Sequence, residues 1–283
     1  KSEILFLITD VNLTLPEAKY KNNEVIKLNE DGYKIKLQLL DHHATGEKCA
    51  VKYDWYYLDT SRCATKIVFE YLKKEYISFS EEKYDWVEPL VNAVNAIDIW
   101  LENETKNFEF GKVLLSMISK VREINNVLFA NENRNFRIYL LKEASKYLKY
   151  EDGNIRLDND IHSLKKEYLK LDEKDNTLDN LSAKYLVKSI NDIKDKLTIS
   201  YKDKKGILTY TLGGISIPAN AFLKANKDYD FFIDISKRGN ASFRADGNID
   251  VGVLAEKLAK GGGHPNASGC KFDDFRDSIN YKD

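Results

Sequence analysis

The sequence has 283 residues and a mass of 32.6 kDa, enough for one large domain or two; 43% hydrophobic and 31% charged residues describe a globular chain, not a disordered or collagen-like one. No apolar run approaches the roughly 20 residues that a membrane helix needs, so no membrane partner is expected. Lys and Arg (44) nearly cancel Asp and Glu (45), which excludes a broad basic face for long duplex DNA or an anionic membrane and leaves small anions as ligands.

In chain order, ILFLI (4–8) reads as a buried strand ending at Thr9 and Asp10. KIKLQLL (34–40) reads as a second strand ending at Asp41, His42 and His43. Alternating strand-like and helix-like runs predict an α/β domain with a largely parallel sheet, whose ligand crevice lies beyond the carboxyl ends of such strands. DWYYLD (54–59) leads to Thr60 and Ser61, either able to cap a helix with Ala64, Ile67, Val68, Tyr71 and Leu72 on its apolar side. A further helix is expected over about 85–101, starting near Asp85 or kinked at Pro89. Its stripe holds Val87, Leu90, Val91, Val94, Ile97 and Leu101, and it carries Asp98 on or beside that buried side.

Residues 105–195 read as helix after helix, with breaks near 131–135 and 151–154. After Lys196 the pattern turns to β, with strands at 197–202, 207–212 and 229–236, the first two joined over 203–206. A helix over about 250–260 then runs into Gly261, Gly262, Gly263 and His264. The expected architecture is a parallel-sheet domain over 1–150, a helical connector over 151–195 and a smaller mixed α/β domain over 196–283, with a cleft between the domains. Between Lys196 and Lys271 there are 12 Lys and Arg against 7 Asp and Glu, so that lobe is either a solvated basic surface or an anion-binding one.

Three cysteines, Cys49, Cys63 and Cys270, far apart and in no CxxC pattern, argue against a disulfide framework or a thiolate zinc site and predict a reducing, cytoplasmic setting. Three of the four histidines lie in two compact polar clusters, DHH (41–43) and GGGH (261–264). A strand-end carboxylate with two imidazoles suits Mn²⁺, Mg²⁺, Fe²⁺ or Zn²⁺, one histidine ligating while its neighbour meets substrate; a turn with a capping Asp is the alternative. An ionised Asp98 on an apolar stripe calls for a positive partner, a metal or an internal hydrogen-bond network. Asp10 either ligates or only shapes a turn. In the tail, KGGGHPNASG (260–269) can form a concave nest of backbone N–H groups with His264 at its edge, or simply a helix cap and loop. Arg244 can fork onto a phosphate or make a surface ion pair.

Taken together, ITD (8–10), LLDHHATG (39–46), TSRCAT (60–65), NAIDIW (95–100), SFR (242–244) and GGGHPNASG (261–269) resemble the DHH phosphoesterase family, in its members with a C-terminal DHH-associated domain. Such enzymes include oligoribonucleases, phosphatases of 3′-phosphoadenosine 5′-phosphate, cyclic-nucleotide and cyclic-dinucleotide phosphodiesterases and single-strand exonucleases. The resemblance implies two divalent ions, Mn²⁺ with Mg²⁺ as the alternative. Asp10 would bridge them, and His42 and Asp98 would ligate one. His43 would contact the scissile phosphate, Asp41 would orient its neighbours, and Arg244, Gly262, Gly263 and His264 would hold the far phosphate or nucleoside. Water activated by the two ions would attack phosphorus in line.

The family's opening motif, a His followed by two closely spaced Asp, does not occur among the 283 residues. Because the sequence begins on what reads as the second motif's strand, an upstream segment is expected to supply those ligands. The expected function is metal-dependent hydrolysis of phosphoester bonds in short nucleotides. The alternatives are polyphosphate or pyrophosphate hydrolysis and a catalytically inactive nucleotide-binding regulator. Relatives are often homodimers, although no interface is legible here.

Overall fold

The computed structural model of the protein describes residues 2–76 and 84–275. The chain divides into two units, residues 1–119 with 141–159 and residues 120–140 with 160–283. Both are α/β.

In the first unit, β1 (Ile4–Thr9) pairs in parallel with β2 (Ile35–Asp41), which pairs in parallel with β3 (Tyr56–Leu58). The crossover between the first two strands is α1 (Leu15–Glu30), started by a capping box: the Thr14 hydroxyl accepts from the Glu17 N–H while the Glu17 carboxylate accepts from the Thr14 N–H. Asn29, near its end, exchanges two hydrogen bonds with the backbone of Ile35 and so fixes where β2 begins. Ala18, Leu39, Cys49 and Tyr56 are buried together, joining α1, β2, β3 and the short α2 (Glu47–Lys52). Among the described residues β1 pairs with β2 alone; its Ile8 packs against this cluster, while Ile4 is 47% and Phe6 50% exposed.

The next helices are α3 (Ala64–Glu75), α4 (Val87–Asp98) and α5 (Thr105–Ser119). Neither Thr60 nor Ser61 caps α3; its N-cap is Cys63, whose sulfur accepts from the Lys66 N–H. Pro89 sits in the first turn of α4, where its missing N–H costs no helical bond. α6 (Ala130–Ser145) runs unbroken through the asparagines that predicted a break. The buried Asn133 amide donates to the Ile124 carbonyl at 2.6 Å, so a residue with weak helical preference is held by tertiary contact. α7 (Gly153–Leu169) follows.

In the second unit, α8 (Leu178–Leu197) leads into a six-stranded sheet of order β4-β5-β6-β7-β9-β8. Its strands are β4 (Thr198–Tyr201), β5 (Lys204–Tyr210), β6 (Phe231–Ile235), β7 (Asn240–Ala245), β8 (Gly262–His264) and β9 (Ala267–Lys271). β4 and β5 turn at Lys202 and Asp203, earlier than expected, so β5 already begins at Lys204. β5 and β6 are parallel and joined through α9 (Ser216–Ala225), whereas the other ladders are antiparallel. On one face Phe231, Ile233, Phe243 and Ala245 pack on Val251, Leu254 and Ala255 of α10 (Val251–Ala259). On the other, Phe222 of α9 meets Phe232 edge-on at 5.7 Å. No helix among the described residues is long and apolar enough to cross a membrane.

Candidate active site

Parallel pairing in the register Thr9 to Leu40 and Asp41 to Leu58 brings the carboxyl ends of the first unit's strands level. Asp10 follows β1, and His42 and His43 follow β2, so three polar side chains leave one edge of the sheet together. Asp10 holds a left-handed backbone (φ 58), anchored by its N–H bonding to the Leu40 carbonyl at 3.1 Å. Such a conformation costs a non-glycine residue about 1–2 kcal/mol and persists where surrounding structure enforces it. The Asp10 Oδ1 lies 3.3 Å and the Asp98 Oδ2 3.6 Å from the His42 Nε2. One ligand atom from each of Asp10, His42 and His43 lies within 4.8 Å of the other two. Carboxylates converging on imidazole nitrogen make a mixed O/N donor set that fits a divalent ion such as Mn²⁺ or Mg²⁺.

Asp41 is fully buried yet keeps its charge through hydrogen bonds. Its Oδ1 accepts from the His43 ring Nδ1 at 2.7 Å and the His43 N–H at 3.3 Å, and its Oδ2 from the Tyr56 hydroxyl at 2.8 Å. Burial acts against the carboxylate, but these donors outweigh it and hold Asp41 below the usual carboxylate range. The hydrogen bond that the His43 ring donates to Asp41 likewise raises His43, against a smaller opposing effect of burial, and the Asp41, Asp10 and Asp98 charges reinforce the rise. With Nδ1 turned toward Asp41, the His43 Nε2 is left for a ligand. Tyr56, pushed up by burial and by Asp41, stays a neutral donor. Gly46 makes room for it: a Cβ there would come within 2.3 Å of the Tyr56 oxygen. The sequence reading missed Tyr56, which sits on a separate strand with no spacing signal.

Asp98 is placed at the end of α4 with its side chain 46% exposed, so of the two expected positions it lies beside the buried stripe and not on it. The polar residue that α4 buries is Asn95, whose Oδ1 accepts the Cys63 N–H at 2.8 Å and ties the start of α3 to α4. Asp98 lies about one turn further along, facing His42.

In the second unit, Arg244 on β7 stands opposite Ala267 of β9, which in turn stands opposite His264 of β8. Directly paired residues point to one face, so Arg244 and His264 flank the small Ala267 on the same side of the sheet. The Arg244 Nη1 donates to the Phe243 carbonyl and Nη2 to the Ser216 hydroxyl, each at 2.8 Å. Among the described residues no carboxylate pairs with it. Gly262 and Gly263 do not form the expected nest at the end of a helix. They are extended, exposed residues of β8, the edge strand, paired with Gly269 and Ser268 of β9. Gly263 (φ 146) is required there, since a Cβ would fall 2.6 Å from the Ala267 carbonyl oxygen. The helix cap lies before them at Lys260, which takes the left-handed conformation (φ 50).

The DHHA1 domain family matches residues 183–281, within the second unit. A protein of Helicobacter pylori named 3′,5′-cyclic-nucleotide phosphodiesterase is 44% identical over 283 residues, all of this chain and 81% of its own length. A crystal structure of a Helicobacter pylori protein, 45% identical, superposes with a TM-score of 0.89 over 100% of this chain and 80% of that one. With a relative this similar along the whole length compared, the chain belongs to the DHH phosphoesterase family.

Proposed function

We propose that the protein is a metal-dependent hydrolase of phosphoester bonds in short nucleotides: cyclic nucleotides, short oligoribonucleotides or 3′-phosphoadenosine 5′-phosphate. The observation that carries this reading is the convergence of Asp10, His42 and His43 within 4.8 Å, with Asp98 3.6 Å from His42. The name of the 44% identical relative supports the nucleotide class.

Asp10, His42 and Asp98 would hold the ion, Mn²⁺ by preference. When bound, it supplies Lewis-acid stabilisation of charge on the phosphate. The chain's own residues do the rest. Asp41 fixes the His43 ring through Nδ1, so that Nε2 faces the phosphate, and Tyr56 keeps Asp41 in that orientation. Arg244 keeps N–H donors for a phosphate oxygen in fork geometry, and His264 on the same face takes the remainder of the ligand.

The test is an assay of the full-length protein with Mn²⁺ on a 3′,5′-cyclic nucleotide, a 5′-phosphorylated dinucleotide, 3′-phosphoadenosine 5′-phosphate and polyphosphate. Turnover of at least one nucleotide, abolished in His42→Ala and weakened mainly through KM in Arg244→Ala, is expected. Turnover of polyphosphate alone would contradict the reading.

A further inference from the structure

Asp234, at the end of β6, is 4% exposed and forms no ion pair among the described residues. A buried carboxylate is costly unless donors surround it, and here three do. Its Oδ1 accepts from the Thr209 hydroxyl at 2.9 Å and the Leu212 N–H at 3.0 Å, and its Oδ2 accepts from the Gly213 N–H at 3.1 Å. Two of these are backbone groups of the segment that leaves β5 and turns into α9.

That segment is held from another side as well. Thr211 has a left-handed backbone (φ 56); its N–H donates to the Ile235 carbonyl at 2.9 Å, and its own carbonyl accepts from the Asn125 side-chain amide at 2.7 Å. Four hydrogen bonds thus fix residues 211–213. Three residues after Gly213 comes Ser216, the first residue of α9, whose hydroxyl accepts from the Arg244 Nη2 at 2.8 Å. With Nη1 tied to the Phe243 carbonyl, both terminal nitrogens of the guanidinium are committed to a set direction. The Nε–H and one proton on each terminal nitrogen remain for a ligand.

The geometry points to Asp234 and Ser216 as positioning residues for nucleotide binding: Asp234 pins the 211–213 turn, which places the Ser216 hydroxyl where it aims the Arg244 guanidinium. This rests on the proposed role of Arg244. The choice of side chain fits the task. Two of the three partners of Asp234 are backbone N–H groups, one facing each carboxylate oxygen, and these can only donate; an amide nitrogen in place of Oδ2 would face the Gly213 N–H donor to donor. A merely structural carboxylate elsewhere in the same sheet offers a comparison. Asp230, just before β6 and so at the other end of that strand from the 211–213 turn, accepts the Lys205 N–H at 2.9 Å and approaches the Lys204 Nζ at 3.6 Å.

The experiment is calorimetric titration of the full-length protein with adenosine 5′-monophosphate, which reads binding without turnover. Asp234→Asn and the exposed, fold-neutral Ser216→Ala should each weaken the Kd about five- to tenfold, and combining either with Arg244→Ala should add no further loss, since the effect passes through that arginine. Asp230→Asn should lower the melting temperature and leave the Kd as in the wild type. Wild-type affinity in Ser216→Ala, or losses that add to that of Arg244→Ala, would overturn the positioning role and leave the proposed function standing. Equal binding by the wild type and Arg244→Ala would overturn the role of Arg244 and, with it, this inference. Should Asp234→Asn fail to fold, Ser216→Ala decides alone.

Discussion

The Tyr56 hydroxyl donates to a carboxylate that has no contact with solvent, so its removal leaves Asp41 one donor short in a place water does not reach. Tyr56→Phe should therefore destabilise the protein by about 1–3 kcal/mol in urea titration, the usual cost of an unsatisfied buried polar group. It should also lower kcat, because a loosened Asp41 no longer sets the His43 ring. Unchanged stability would mean that Asp41 is held by His43 alone. At this scale the sequence was legible where functional atoms lie next to one another in the chain. Asp41, His42 and His43 could be read from a strand ending on three polar residues. Tyr56 could not, because parallel pairing of β2 with β3 carries it to Asp41 and no spacing announces that. Helical spacing placed Asp98 near the buried side of α4. The structure buries Asn95 instead and leaves Asp98 half exposed toward His42, a difference of one turn's tilt that a count of positions does not resolve.

α10 ends where its apolar period ends, at Ala259, and the next residue must turn left-handed for the chain to enter β8. Lys260 makes that turn at the steric cost a Cβ imposes. Lys260→Gly should raise stability by about 1 kcal/mol, measurable as a higher urea midpoint with an unchanged slope. A lower midpoint would show that the lysine side chain contributes more than its backbone loses. Elements defined by local chemistry were readable: the start of α10 near Asp250, the strands β4, β5 and β6 and the end of β2. β8 was not, because Gly262 and Gly263 carry no strand preference and their conformation comes from pairing with β9. The asparagines of α6 misled for a related reason, Asn133 being helical through its bond to the Ile124 carbonyl.

For the whole chain, near-cancellation of 44 basic and 45 acidic residues is the ground for expecting short substrates and not a long polynucleotide. Turnover should fall as 5′-labelled oligoribonucleotides lengthen from two to about ten residues, where each further phosphate of an extended binder would add affinity. A rate that rises with length would contradict the short-substrate reading. The change to strand periodicity after Lys196 marked where the second sheet begins. The helical residues that belong with that sheet, 120–140 and 160–195, gave no such sign, because amphipathic helices look alike whichever sheet they pack near. The proposed activity depends most on Asp10, His42 and Asp98 forming one ligand set. Calorimetric titration of the protein with Mn²⁺ tests this directly: the wild type should bind, and His42→Ala and Asp98→Asn should each weaken the affinity at least about tenfold. Equal Mn²⁺ affinity in the wild type and both variants would contradict it.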